Sequence, residues 1–160
     1  MTEIKYLRGD ATAPQAEGNK IIAHVCNDIG RWGKGFVLAL SQRSQEPEKA
    51  FHQWYAERHN NDYGLGAAQL VQIAPDTWVA NIIGQHKIAG RGDSGTPPVR
   101  YEAIQQGLAR VAQKAKDLNA SVHMPRIGCG LAGGTWDKVE PLIVAELSAQ
   151  GISVYVYDFA

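Results

Sequence analysis

Two compact apolar runs each break into a cluster of glycines and then resume with helical spacing, and this repeated pattern constrains the fold more than any other feature. The first run is Lys20–Val25 (KIIAHV), broken by Gly30-Arg31-Trp32-Gly33-Lys34-Gly35 before the helical stretch Phe36–Ser44. The second, Val122–Ile127, ends at Gly128 and passes through Gly128–Gly134 to helical spacing over Trp136–Ala149. A short, continuous apolar run reads as a strand covered on both faces, the setting of a parallel sheet held between helices. Both glycine clusters follow a buried strand and precede a helix, so they are expected at the same edge of one sheet.

The remaining segments complete an alternation. Ile4–Leu7 reads as a short strand stopped by Gly9-Asp10, and Pro47 suits the first turn of a helix with Phe51, Trp54 and Tyr55 on one face. Ala68–Ile73 and Thr77–Ile83 flank the turn-like Ala74-Pro75-Asp76 and are expected to pair as an antiparallel hairpin. Gly84 to Pro98, with four glycines and two prolines, reads as a loop. Tyr101–Leu118 is a long helix with Ile104, Leu108 and Val111 on its apolar stripe, and Ile152–Tyr157 is a closing buried strand. The order β-β-α-α-β-β-α-β-α-β predicts an α/β fold, a mixed sheet with helices on both faces, whose ligands bind beyond the carboxyl ends of the strands.

Composition excludes several classes of function. The 160 residues fit one domain, 1–160, and 16 basic side chains balance 16 acidic ones. No global field is available to displace counterions from nucleic acid, so no specific nucleic-acid binding is expected. The opening MTEIKYLRGD is not expected to be a signal peptide, and no run approaches the length that spans a bilayer. Cys26 and Cys129 lack zinc-site spacing, so no metal is expected, and free thiols without a secretion signal point to the cytoplasm.

Glycine lets backbone N–H groups approach a phosphate with no Cβ in the way, and a following helix N-terminus adds its dipole. Two such loops suggest a clamp around a diphosphate; the other reading is that the glycines only make tight strand-to-helix turns. A Walker A loop is excluded, because Asp28 and Gly35 stand where it needs glycine and a hydroxyl residue. The dinucleotide fingerprint is excluded too, since Gly30, Gly33 and Gly35 run in reversed spacing.

Several segments resemble one family in order along nearly the whole chain. Tyr6-Leu7-Arg8-Gly9-Asp10-Ala11 resembles the opening strand of macro domains, and Ala23–Asn27 followed by Gly30–Phe36 is similar to their first phosphate loop. Met124-Pro125-Arg126-Ile127-Gly128-Cys129-Gly130-Leu131 resembles the second loop, and Val156-Tyr157-Asp158-Phe159 the last strand. The resemblance implies a three-layer α/β/α sandwich around a mixed, mostly parallel six-stranded sheet, and a ligand that is ADP-ribose or carries an ADP-ribosyl group. It implies adenine recognition by Asp10, with Gly9 and Ala11 beside it and Tyr157 as an aromatic neighbour. It places Gly33, Lys34, Gly35 and Phe36 in one half of the diphosphate clamp, and Ile127, Gly128, Cys129, Gly130 and Leu131 in the other. Asn27 would meet the distal ribose, and no cofactor is implied.

Within the family the chain is most similar to the branch of terminal ADP-ribose protein glycohydrolases and fungal ADP-ribose-1″-phosphate phosphatases, the pattern His24–Gly35 resembling the phosphatases. The glycohydrolases' nucleophilic lysine matches Gln85 here, and their catalytic aspartate matches Ala132. Gln forms no Schiff base and Ala transfers no proton. The implied activity is therefore hydrolysis at C1″ by a bound water held by His24, Asn27 or the substrate's own phosphates; the competing reading is a module that binds ADP-ribose without chemistry. Several of these residues also admit plainer readings. Asp10 suits a turn, Asn27 suits a loop cap, His24 sits in an apolar run as core histidines do, and Cys129 fits among glycines as a small packed residue. His86 and Lys87 are candidates for a replacement base or phosphate contact, or are plain surface residues. His52, His59 and His123 have no company that suggests chemistry. The tripeptides Arg8-Gly9-Asp10 and Arg91-Gly92-Asp93 are read as coincidence.

Overall fold

The computed structural model describes residues 3–88 and 96–159. Arg91-Gly92-Asp93 and the middle of the expected Gly84–Pro98 loop lie outside them. In chain order the elements are β1 (Lys5–Arg8), β2 (Lys20–Asn27), α1 (Phe36–Arg43), α2 (Glu46–Ala56), β3 (Ala68–Ala74), β4 (Thr77–Gln85), α3 (Tyr101–Leu118), β5 (Ser121–Met124), α4 (Trp136–Glu146) and β6 (Val154–Asp158). They form one six-stranded sheet in the order β1-β6-β5-β2-β4-β3. Every neighbouring pair is parallel except the hairpin β3–β4.

Side chains alternate across β2 and β4 and thereby divide the core in two. Ile22, Cys26, Val79 and Ile83 pack with Leu40, Phe51 and Trp54 of α1 and α2. Ile21, Ala23, Ala80 and Ile82 pack on the opposite face with Ile104, Leu108, Val139 and Ile143 of α3 and α4. The fold is the three-layer α/β/α sandwich with a mixed, mostly parallel sheet. Among the described residues no helix is long and apolar enough to cross a membrane.

The element boundaries that differ from expectation do so for local reasons. β5 stops at Met124 rather than Ile127, because Pro125 has no N–H to continue the ladder. β4 runs on to Gln85, and the β2–β4 register slips so that Cys26 faces Ile83 but Asn27 faces Gln85. Gly84 is the residue passed over, and a Cβ there would stand 2.7 Å from Ile104 Cγ1. α4 gives way after Glu146 to a 3-10 turn at Ser148–Gln150, and Ile152 precedes β6. α3 is closed by Asn119 in the left-handed conformation (φ 50°), its N–H bonded to the carbonyls of Ala115 and Lys116.

Candidate functional site

The carboxyl edge of the sheet carries three joined cavities, of about 520, 220 and 550 Å³ in order from β1 and β6 toward β4. Gly35, Phe36, Pro125 and Arg126 are walls common to the first two. Val25, Lys34, Val37, Gln85 and Leu131 are walls common to the last two. Together they form a trough from the tips of β1 and β6 across both glycine loops to the end of β4.

Asp10 stands at the first cavity with Gly9, Ala11 and Tyr157. One carboxylate oxygen, Oδ1, accepts from the N–H and hydroxyl of Thr12 at 2.9 and 2.6 Å. The turn thus fixes the carboxylate while the other oxygen keeps its acceptor capacity. Tyr157 is nearly buried, and its hydroxyl lies 2.7 Å from His123 Nδ1, so its ring is held as part of the cavity floor. Phe159, 82% exposed, stands at the mouth as a second aromatic. Asp158 also lines this cavity, but it accepts both Nε and a terminal N–H of Arg126, at 2.7 and 3.1 Å. The Arg126 guanidinium lies over the rings of Tyr6 and Trp136, at 5.2 and 5.1 Å. Tyr6 in turn accepts from Trp136 Nε1 and bonds Glu140. Charge pairing thus silences Asp158 and leaves Asp10 as the acceptor at this end.

The middle cavity is walled by Gly35 and Phe36 on one side and Ile127, Gly128 and Cys129 on the other. α1 opens here with Gly35 at its N-cap, no side-chain cap and no acidic residue in its first turn. The first N–H groups of a helix have no partner within it, so those of Phe36 and Val37 remain as donors beside a positive dipole end. The two glycines at this point serve different ends. Gly128 (φ +74°) is a packing glycine, since a Cβ would stand 2.8 Å from Ile104 Cδ1. Gly33 (φ +77°) has open space at its Cβ position and lines the third cavity. Packing therefore requires Gly128 to lack a side chain, whereas nothing in the packing requires this of Gly33.

The third cavity holds Asn27, Arg31, Gly33, Lys34 and Gln85. Asn27 is committed to its own loop: Oδ1 accepts from the N–H groups of Ile29 and Arg31, both at 3.1 Å, and Nδ2 donates to the carbonyl of Arg31 at 2.6 Å. Tyr63 adds a second clasp, its hydroxyl donating to the carbonyl of Asn27 at 2.8 Å and accepting from the N–H of Gly30 at 3.0 Å. His24 is 2% exposed, with Nε2 2.5 Å from Asn81 Oδ1 and its ring against Trp32 and Phe36. Asn81 Oδ1 only accepts, so Nε2 carries the proton, and burial pushes the imidazole pKa down to about 4. Asn27 thus caps the first loop and lines the third cavity, while His24 supports the aromatic residues that anchor that loop and lines the middle cavity.

Other candidates fall into place around this trough. All the ligand-contact residues implied by the resemblance line one of the three cavities except Gly130, which lies between Cys129 and Leu131 but in none of their walls. Burial pushes the thiols of Cys26 and Cys129 up, which disfavours the thiolate each would need as a nucleophile. His86 and Lys87 both turn to Asp28: Nδ1 of His86 is 2.7 Å from Oδ2, and the Lys87 N–H donates to Oδ1 at 2.8 Å. Gln85 donates from Nε2 to the Lys87 carbonyl at 2.9 Å, leaving its amide oxygen as an acceptor on the trough wall. His123 is fully buried, bonded to Ser121 and Tyr157. Gln85, Arg31, Arg126 and Phe159 are wall residues that the motifs did not single out as ligand contacts. The signal for Phe159 was an aromatic two residues beyond Tyr157; Arg126 had its place in the second-loop motif.

No family model matches the chain. It is similar to chromodomain-helicase-DNA-binding protein 1-like of Mus musculus, 35% identical over 167 residues, a match that takes in 99% of this chain but 18% of that protein's length. The ADP-ribose 1″-phosphate phosphatase of Lodderomyces elongisporus is 26% identical over 164 residues, covering 97% of this chain and 99% of that one. Among solved structures, a macrodomain protein from Streptomyces coelicolor superposes with a TM-score of 0.87 at 58% identity, over 99% of this chain and 100% of that one. At that identity, and with the whole length of both chains matched, this chain belongs to the macrodomain family.

Proposed function

We propose that this macrodomain binds ADP-ribose and hydrolyses derivatives that carry a leaving group at C1″. The observation that carries the reading is the polarity of the trough. Its first cavity offers a fixed carboxylate acceptor, which suits the exocyclic amino group of adenine. Its middle cavity offers backbone donors at an uncapped helix N-terminus, which suit a diphosphate. Its third cavity, bounded by Asn27, Gly33 and Gln85, has room for the distal ribose. Likeness over nearly full length to a phosphatase named for ADP-ribose 1″-phosphate supports the same substrate class.

In this reading the chemistry is done by water. The third cavity presents no thiolate, and no imidazole among its described walls, so the protein contributes by holding substrate and water together rather than by a strong base. Such positioning supplies several kcal/mol of barrier reduction on its own. The lack of an imidazole or carboxylate among those described walls also favours a second reading, a module that reads ADP-ribose and does no chemistry. Calorimetry with ADP-ribose tests the binding that both share, and release of phosphate from ADP-ribose 1″-phosphate, or of ADP-ribose from glutamate-linked peptide, separates them. Wild-type protein that binds no ADP-ribose would overturn both.

A further inference from the structure

Resting on that reading, we infer that the third cavity selects an ADP-ribosyl ligand bearing a phosphate at C1″, and that Arg31 is the residue that makes the selection. The cavity has two charged walls, Arg31 and Lys34, and among the described residues no carboxylate lines it. Neither cationic side chain has a hydrogen-bond or ion-pair partner among the described residues. The nearest acid in sequence, Asp28, has both oxygens occupied by His86 and by the N–H of Lys87.

The two cations are not equivalent. Lys34 belongs to the middle cavity as well, so its charge answers a diphosphate seated there. Arg31 lines the third cavity alone. It is a surplus cation beyond the diphosphate, at the end where the distal ribose carries its C1″ substituent. A neutral hydroxyl or a peptide ester there leaves the guanidinium without a counter-charge. A phosphate offers oxygens spaced for its planar fork, a bond stronger than one between neutral groups.

The first cavity shows the contrast. Its arginine, Arg126, is cancelled by Asp158, so the unpaired cationic walls of the trough lie toward the C1″ end. The Arg31 backbone is also held in place. Asn27 grips its N–H at 3.1 Å and its carbonyl at 2.6 Å, which fixes where the side chain leaves the loop. That grip is made entirely with backbone atoms of Arg31, so replacing the side chain leaves the loop intact.

The test is calorimetric, with ADP-ribose and with the methylenephosphonate analogue of ADP-ribose 1″-phosphate, which water cannot cleave, titrated into wild type and Arg31→Ala. Wild type should bind the phosphonate about tenfold more tightly than ADP-ribose, as a charge-assisted contact implies. Raising salt should narrow the difference. In Arg31→Ala the preference should fall to about twofold or less, while ADP-ribose affinity stays within about threefold of wild type. Equal wild-type affinity for the two ligands, or a preference untouched in Arg31→Ala, overturns the inference and leaves the proposed ADP-ribose binding standing. Loss of ADP-ribose binding in wild type itself would instead count against the function on which it rests.

Discussion

The phenol oxygen of Tyr157 stands 2.7 Å from Nδ1 of His123, and Nε2 of the same imidazole is 2.7 Å from Ser121 Oγ. A fully buried ring thus ties the floor of the first cavity to the strand beside it. Burial, with Lys20 nearby, pushes the His123 pKa down to about 4, and His24, on the same face of the sheet, is pushed to about 4 by burial. In the unfolded chain both titrate near 6.5, so between about pH 6.5 and 4 the unfolded state binds more protons than the folded one. Stability is therefore full above about 6.5 and falls as the pH drops toward 4, each histidine costing on the order of 3 kcal/mol by the lower limit. Urea unfolding across that range should show the loss in wild type. In His123→Phe the slope should be roughly halved on a lower baseline; an unchanged slope would remove His123 from the account.

Asp10→Ala should weaken ADP-ribose binding by about 1–3 kcal/mol, because the adenine amino donor loses its partner. The turn also loses its bonds to Thr12, which is buried, so the melting temperature should fall as well while circular dichroism stays that of the folded chain. Calorimetry that gives an unchanged dissociation constant would take Asp10 out of the ligand site.

Glycines at the two loops should separate by role. Gly33→Glu and Gly35→Glu place a carboxylate in the trough where no packing atom stands closer than 4.0 Å, at the cost of about 1–2 kcal/mol of backbone strain at positive φ. Both should lose ADP-ribose binding with circular dichroism retained. Gly128→Ala should instead lower the melting temperature, since its Cβ meets Ile104. Full binding by both glutamate variants would mean that the trough is not where the diphosphate lies.

No covalent adduct should form. Gln85 cannot make an imine, and the thiols of Cys26 and Cys129 stay protonated near neutral pH because burial disfavours the thiolate. Mass spectrometry after incubation with ADP-ribose and borohydride should show unmodified protein. Trapped ADP-ribose on Lys34 or Lys87 would show a lysine acting as nucleophile from a new position.

The sheet and its helices were legible because apolar runs of strand length and an 18-residue amphipathic helix leave few alternatives. The loops at the carboxyl edge were legible as loops. What could not be read was where each polar group spends its hydrogen bonds. Asn27 looks the same in sequence whether it faces a ligand or caps its loop, and the choice depends on where the Arg31 backbone returns. His24 lies in an apolar run that fits a core residue, but its bond to Asn81 joins residues 57 positions apart. The reach of β4 to Gln85 depends on a register slip at Gly84 that no local pattern announces. Pairing of Arg126 with Asp158, 32 residues on, is a tertiary event of the same kind.

The trough takes its walls from Gly9 near the beginning of the chain and from Phe159 near its end, with both central loops between them. Its occupant therefore bridges segments that come together only when the sheet is complete, and acts as a rivet through strands that sequence keeps apart. Ligand at a hundred times its dissociation constant adds about 2.7 kcal/mol to unfolding, or roughly 5–10 °C in melting temperature for a chain this long. Heat alone, with no labelled substrate and no assay of chemistry, is then enough to rank candidate nucleotides against this fold.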